Sequence, residues 1–159
     1  MIAAPLNSPL EVGLRVAFLL SFAYPRSFDL ATLAQLDHAL LHTGQSDGPP
    51  SIHPELPGSI GELAIKEDLV RAGLDAMIRA GLVFGRPTGA GFKFAATENA
   101  RPFISVLGSP YAVRLRNRAE WVVERLPDEE QSEPSLGLRA MVRKWIAEGS
   151  RPEEGGADA

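Results

Sequence analysis

The chain has 159 residues, a formal net charge of −4 and no cysteine. This length is sufficient for one domain with a hydrophobic core and a short appendage. The absence of cysteine excludes disulfides and thiolate metal sites. The acidic balance argues against a dedicated nucleic-acid-binding protein, which is usually basic over at least one face.

The first predicted helix begins after Ser8, because Ser8, Pro9 and Glu11 have the types and spacing of a capped helix start. It runs to about residue 23 and is apolar on nearly every side, so we expect a partner or a second copy to cover part of it. The residues that carry this expectation are Phe18, Leu19 and Phe22. The apolar run is far shorter than the roughly 18 residues that cross a bilayer, and no basic segment precedes it. We therefore expect neither a membrane span nor a cleaved signal, and a cytoplasmic location.

The second predicted helix begins after Asp29 and ends at Gly44, with an inward stripe of leucines. Asp37 lies within that stripe. A carboxylate among leucines costs several kcal/mol unless it is hydrogen-bonded or paired. We predict that Asp37 is a structural polar anchor for backbone amides of the proline-rich loop 44–58, and a contact with a partner's arginine is the alternative.

The histidines do not form a convincing metal site. His38 and His42 are four residues apart on the second helix, so their rings could face one metal ion. A zinc site needs a third and usually a fourth ligand, and His53 is the one remaining histidine. We expect neither a metal nor a cofactor.

The third predicted helix spans residues 60–80, with a break near Ala64 as an alternative. Its outward face carries charges of alternating sign at helical spacing, which neutralise one another and do not favour contact with DNA phosphates. These charges are Asp68, Arg71, Asp75 and Arg79. Residues 83–96 then read as two strands joined by a glycine turn. Helices followed by such a hairpin predict a mainly α protein with a small β-hairpin, that is, a winged-helix domain followed by additional helices.

A fourth helix is predicted from Thr97 to Leu107, and a fifth from Ser109 to Pro127. Beside the inward stripe of the fifth helix lies a ridge of three arginines and a tryptophan. The ridge consists of Arg114, Arg118, Trp121 and Arg125. It is typical of a protein-interface hot spot or a phosphate-contacting surface, and a solvated edge with Trp121 folded on the core is the third reading.

The C-terminal part of the chain divides into three segments after a domain at residues 1–126. We predict an acidic linker at 127–135, a tethered amphipathic helix at 136–148 and a disordered tail at 149–159. The apolar face of the helix is expected to dock on a partner, or else on its own domain. That face carries Leu138, Met141, Val142 and Trp145.

Several short segments occur in a familiar order along residues 6–126. They are residues 7–15, 24–25, 36–37, 42–44, 49–54, 61–63, 79–83, 97–98, 100–103 and 109–112. In this order they resemble the small middle component of ABC-three-component conflict systems, a bacterial anti-phage class related to Lamassu. The resemblance implies a winged-helix adaptor that acts beside an SMC/Rad50-like ABC ATPase and an effector, often nuclease-like. It leaves the linker and the terminal helix outside the family's common sequence.

No nucleophile–base pair, phosphate-binding glycine loop or metal cluster is recognisable, so neither an enzyme nor a small-molecule substrate is expected. Three functions follow from these patterns. The first is a non-enzymatic adaptor subunit that bridges the ATPase and the effector. The second is a winged-helix DNA-binding transcriptional regulator. The third is an adaptor that also contacts DNA within the assembly through Arg114, Arg118 and Arg125.

Overall fold

The computed structural model describes residues 8–52 and 60–127, without the side chains of residues 45–46 and 60–65. The fold is mainly helical with one two-stranded antiparallel hairpin, as predicted. Its elements are α1 (Pro9–Ala23), α2 (Leu30–Leu41), a 3₁₀ turn (Thr43–Ser46), α3 (Ile60–Arg79), β1 (Val83–Thr88), β2 (Gly91–Ala96), α4 (Ala100–Ser105) and α5 (Pro110–Glu124). The linker, terminal helix and tail predicted for residues 127–159 lie almost wholly outside the described residues, and so do Leu138, Met141, Val142 and Trp145.

Side-chain caps set three helix starts. The Ser8 hydroxyl accepts from the Glu11 N–H at 3.2 Å, and the Asp29 carboxylate accepts from the Thr32 N–H at 2.8 Å. Ser109 caps α5 in the same way. These bonds satisfy amides that the first turn of a helix leaves without partners, and they confirm the predicted starts.

Helices α2 and α4 differ from the prediction at their ends, whereas α3 follows the prediction of one unbroken helix. Helix α2 ends at Leu41 and passes into the 3₁₀ turn, because the chain must turn back towards the loop. Helix α3 is continuous through Ala64. Thr97 does not cap α4, because the helix begins later, at Ala100. The Thr97 hydroxyl donates to the Gly81 carbonyl at 2.6 Å, which ties the end of the hairpin to its start, and it accepts from the Asn99 N–H at 3.3 Å.

Helix α1 is the central element of the core and packs against every other helix and β2. Phe18 and Leu19 are 0% and 1% exposed, both within the chain's own core. The expectation that a partner covers them is therefore wrong: the other elements of the chain cover them. Phe22 remains half-exposed. Among the described residues, no helix is long and apolar enough to cross a bilayer.

The hairpin pairs Val83 with Ala96 and Arg86 with Lys93, in regular antiparallel register. Between α1 and α2, Phe28 exchanges two backbone hydrogen bonds with Phe94, at 2.9 and 2.8 Å. This bridge extends the small sheet by one residue on the β2 side. The order α1, bridge, α2, α3, hairpin is the order that the winged-helix prediction requires, and the assignment to that fold stays a prediction.

Candidate partner-binding surfaces

Asp37 lies at the centre of a buried ion cluster formed by three helices. Arg15 of α1 donates from Nε to Oδ1 at 2.7 Å and from Nη2 to Oδ2 at 3.2 Å, and Lys66 Nζ of α3 lies 3.1 Å from Oδ2. The side chains of Asp37 and Arg15 are 0% and 1% exposed. Asp37 is thus a structural anchor, but the prediction that it holds the loop is wrong, because Arg15 and Lys66 occupy its oxygens.

The electrostatics of this cluster favour the ionised forms. Burial opposes the charge of Asp37, but the cations of Lys66 and Arg15 outweigh it and hold the pKa of Asp37 below its usual value. Burial likewise opposes the charge of Arg15, but the Asp37 carboxylate outweighs it and raises the pKa of Arg15. Burial and the nearby Glu11 carboxylate raise the pKa of Tyr111 beside them. The cluster is a structural joint between α1, α2 and α3, and its Asp37 and Arg15 side chains are buried within the chain.

The ridge on α5 is largely engaged with the chain itself. Arg118 donates from Nε and Nη2 to the Pro50 carbonyl, at 3.2 and 2.9 Å. The guanidinium of Arg125 lies 3.9 Å from the centre of the Trp121 ring and donates to the Trp121 carbonyl. Arg114 is exposed, and its guanidinium lies 5.8 Å from the centre of the Tyr111 ring. Arg114 and Arg125 therefore remain accessible, while Arg118 fastens a loop.

That loop is the proline-rich segment after α2, and it packs closely under Trp121. A Cβ on Gly48 would lie 2.7 Å from the Trp121 ring and 2.8 Å from the Thr43 carbonyl, so no larger residue fits. The Gly48 N–H donates to the Thr43 carbonyl and the Ile52 N–H to the Leu41 carbonyl, both at 3.0 Å. The loop is thus held by backbone hydrogen bonds to the end of α2 and to the 3₁₀ turn, by the Thr43 hydroxyl, which donates to the Pro49 carbonyl at 2.7 Å, and by α5.

An open groove of about 620 Å³ lies where the end of α1 meets the end of β2 and α4. Phe22 and the 51% exposed Tyr24 lie on its α1 side, and Arg101 and Ser105 lie on its α4 side. Phe22 is therefore the one α1 candidate that the fold leaves accessible. The sequence pattern pointed to Phe22 but contained no sign of the α4 wall, because that wall depends on tertiary packing.

The outward face of α3 carries the charges predicted for it. Asp68, Arg71, Asp75 and Arg79 are all exposed, and Arg71 lies 4.0 Å from Asp68. On the neighbouring helix α2, the centres of the His38 and His42 rings lie 4.4 Å apart. Within residues 8–52 and 60–127, no group of three metal-ligating side chains comes together. His53 lies outside the described residues.

Together these features define a small helical domain with a well-packed core, an accessible groove and a charge-balanced third helix. The family model described as ABC-three component (ABC-3C) system Middle Component 2 matches residues 5–148. The chain belongs to this family, which confirms the resemblance. The match also corrects its extent, because it includes the linker and the terminal helix that the resemblance left outside. No curated protein and no solved structure matches the chain.

Proposed function

We propose that this protein is a non-enzymatic adaptor subunit of a bacterial anti-phage defence complex. In this role it bridges an SMC/Rad50-like ABC ATPase and an effector, which is nuclease-like. The observation that carries the proposal is membership of the middle-component family over residues 5–148. A middle component of a three-component system acts with partner proteins, and its own residues need only recognise them.

The groove and the terminal helix are the two surfaces that suit such recognition. Phe22 and Tyr24 offer accessible aromatic area beside Arg101, and aromatic residues and arginine are enriched in interface hot spots. In the predicted terminal helix, Met141 and Trp145 lie one turn apart on an apolar face. Because the family match extends to residue 148, we propose that this helix is a common working part of such subunits.

The experiment is co-purification of the full-length protein with the products of its neighbouring genes. Met141→Asp combined with Trp145→Asp places two charges on the apolar face and should lower recovery of a partner at least tenfold. Ala140→Asp combined with Ala147→Asp adds the same charge to the opposite face and should leave recovery unchanged. If the two double variants behave alike, the terminal helix does not contact the partner. If the wild type recovers no neighbouring product, the adaptor role is wrong.

The second candidate, a DNA-binding transcriptional regulator, draws support from the helix–hairpin order alone. The third helix of such a protein reads base edges with accessible Arg, Lys, Asn or Gln side chains. On α3 the exposed cations alternate with Asp68 and Asp75, which favours the adaptor. A gel shift with the DNA upstream of its own gene separates the two, because a regulator alone forms a complex that competitor DNA of unrelated sequence does not displace.

A further inference from the structure

The hairpin carries two cations directly opposite each other. Arg86 of β1 pairs with Lys93 of β2. The backbone N–H and C=O of Phe94 bond to Phe28 and therefore point away from β1. In an antiparallel ladder hydrogen-bonded and non-hydrogen-bonded pairs alternate, so the next pair, Arg86 and Lys93, is hydrogen-bonded, with Cα atoms about 5.5 Å apart. Cross-strand partners project from the same face of a sheet. The pairing of the two strands therefore holds the Cβ atoms of these two positively charged side chains next to each other.

These cations lie on the face of the hairpin opposite the one that packs against the core cluster, and this face is accessible at its charged residues although Ala95 on it is 3% exposed. Phe94 packs against the core cluster, and its cross-strand partner is Gly85. Because successive strand residues alternate between faces, Arg86 and Lys93 project from the opposite face. Arg86 is exposed and Lys93 half-exposed. Phe84 shares their face and is 43% exposed.

Nothing in the hairpin neutralises this pair. Residues 83–96 contain no Asp or Glu, and neither cation forms an ion pair with the part of the chain that the structure describes. Like charges directly opposite each other destabilise a sheet. Arg71 on α3 differs, because Asp68 stands within 4.0 Å of it. The outward hairpin face thus carries a local charge of +2, from Arg86 and Lys93, on a chain whose net charge is −4.

We propose that Arg86 and Lys93 bind the phosphate backbone of nucleic acid, with the Phe84 ring alongside the sugar–phosphate chain. Phosphate contacts use Arg and Lys alike, whereas lysine is depleted from the centres of protein–protein interfaces. The face has no Asn or Gln to read base edges. The contact is therefore sequence-independent, and it is made by the hairpin in preference to α3 or the arginine ridge.

The test is fluorescence anisotropy of the full-length protein with a short labelled DNA duplex of arbitrary sequence, over a range of salt concentrations. Arg86→Gln combined with Lys93→Gln should reduce the magnitude of the slope of log K against log salt by about 2, one unit for each lost phosphate contact. Arg86→Glu combined with Lys93→Glu should abolish binding at low salt. Arg114→Glu combined with Arg125→Glu is the matched control, and it should retain the wild-type slope.

Three results would overturn the proposal: no binding of the wild type at low salt, an unchanged slope in the hairpin variants, or loss of binding in the ridge variant alone. If the hairpin variants keep DNA binding but lose a co-purified protein, the face binds an acidic protein instead. Circular dichroism melts of the variants separate a local effect from unfolding. The proposal does not depend on the adaptor role, because co-purification tests the adaptor and anisotropy tests the hairpin.

Discussion

Gly13 on α1 and Gly73 on α3 meet where these two helices cross, and neither position has room for a side chain. The contact between α1 and α3 is the most extensive one between helices in the described part of the chain. A Cβ on Gly73 would lie 2.6 Å from the Gly13 nitrogen, and a Cβ on Gly13 would lie 2.7 Å from the Gly73 carbonyl oxygen. Backbone atoms stand on both sides, so no side-chain rearrangement relieves the overlap. Two glycines therefore allow the close approach that buries α1.

We predict that Gly73→Ala destabilises the protein by about 1–3 kcal/mol, the usual cost of overpacking a core. Alanine has a higher helix propensity than glycine by about 1 kcal/mol, so a stabilised variant would mean that the helices do not cross this closely. Urea unfolding followed by circular dichroism measures the change. Gly89→Ala is the control, because a Cβ there meets nothing within 4 Å, and its midpoint should stay close to wild type.

The buried ion cluster predicts an asymmetry between single and double substitutions. Asp37→Leu leaves Arg15 buried without its carboxylate and should cost about 3–5 kcal/mol. Combining Asp37→Leu with Arg15→Met removes both charges, and Lys66, whose side chain is 17% exposed, can turn to solvent. The double variant should therefore be more stable than the single one. Thermal melts of the two proteins decide this, and a double variant less stable than Asp37→Leu would contradict it.

The same cluster determines a pH dependence. Because the pKa of Asp37 is lowered in the folded state, its contribution is fully present above the unfolded value of about 3.9 and is lost as the pH falls through the folded pKa. The free energy of unfolding of the wild type should thus fall towards acid more steeply than that of the Arg15→Met/Asp37→Leu double variant. Urea titrations between neutral pH and pH 3 give both curves. If the two curves of unfolding free energy against pH are parallel, the contacts with Arg15 and Lys66 do not lower the pKa of Asp37 in the folded protein.

Helix starts and the hairpin were predictable from sequence because they depend on local chemistry. Ser8, Asp29 and Ser109 cap the turns that they precede, and this needs no knowledge of the rest of the fold. The partner of Asp37 was not predictable in this way, since Arg15 and Lys66 come from separate helices. Their signal was present nonetheless: Arg15 interrupts an apolar helix, and Lys66 is in helical register with the inward Val70.

The α5 ridge illustrates a second limit. The spacing of Arg114, Arg118 and Arg125 predicts one ridge, but the three arginines have different surroundings in the structure. Arg118 differs because the loop after α2 returns its Pro50 carbonyl to that position. Loop paths depend on tertiary contacts that helical periodicity does not encode.

The last prediction concerns this loop. Arg118→Ala removes two hydrogen bonds to the Pro50 carbonyl, and we expect about 1 kcal/mol or less of lost global stability, because the bonds lie at the surface. The effect should instead be local. Hydrogen exchange should accelerate at the Gly48 and Ile52 amides, whose acceptors are the Thr43 and Leu41 carbonyls. Arg114→Ala is the matched control on the same helix, and it should leave both amides at wild-type rates. Equal acceleration in the two variants would mean that Arg118 does not hold the loop.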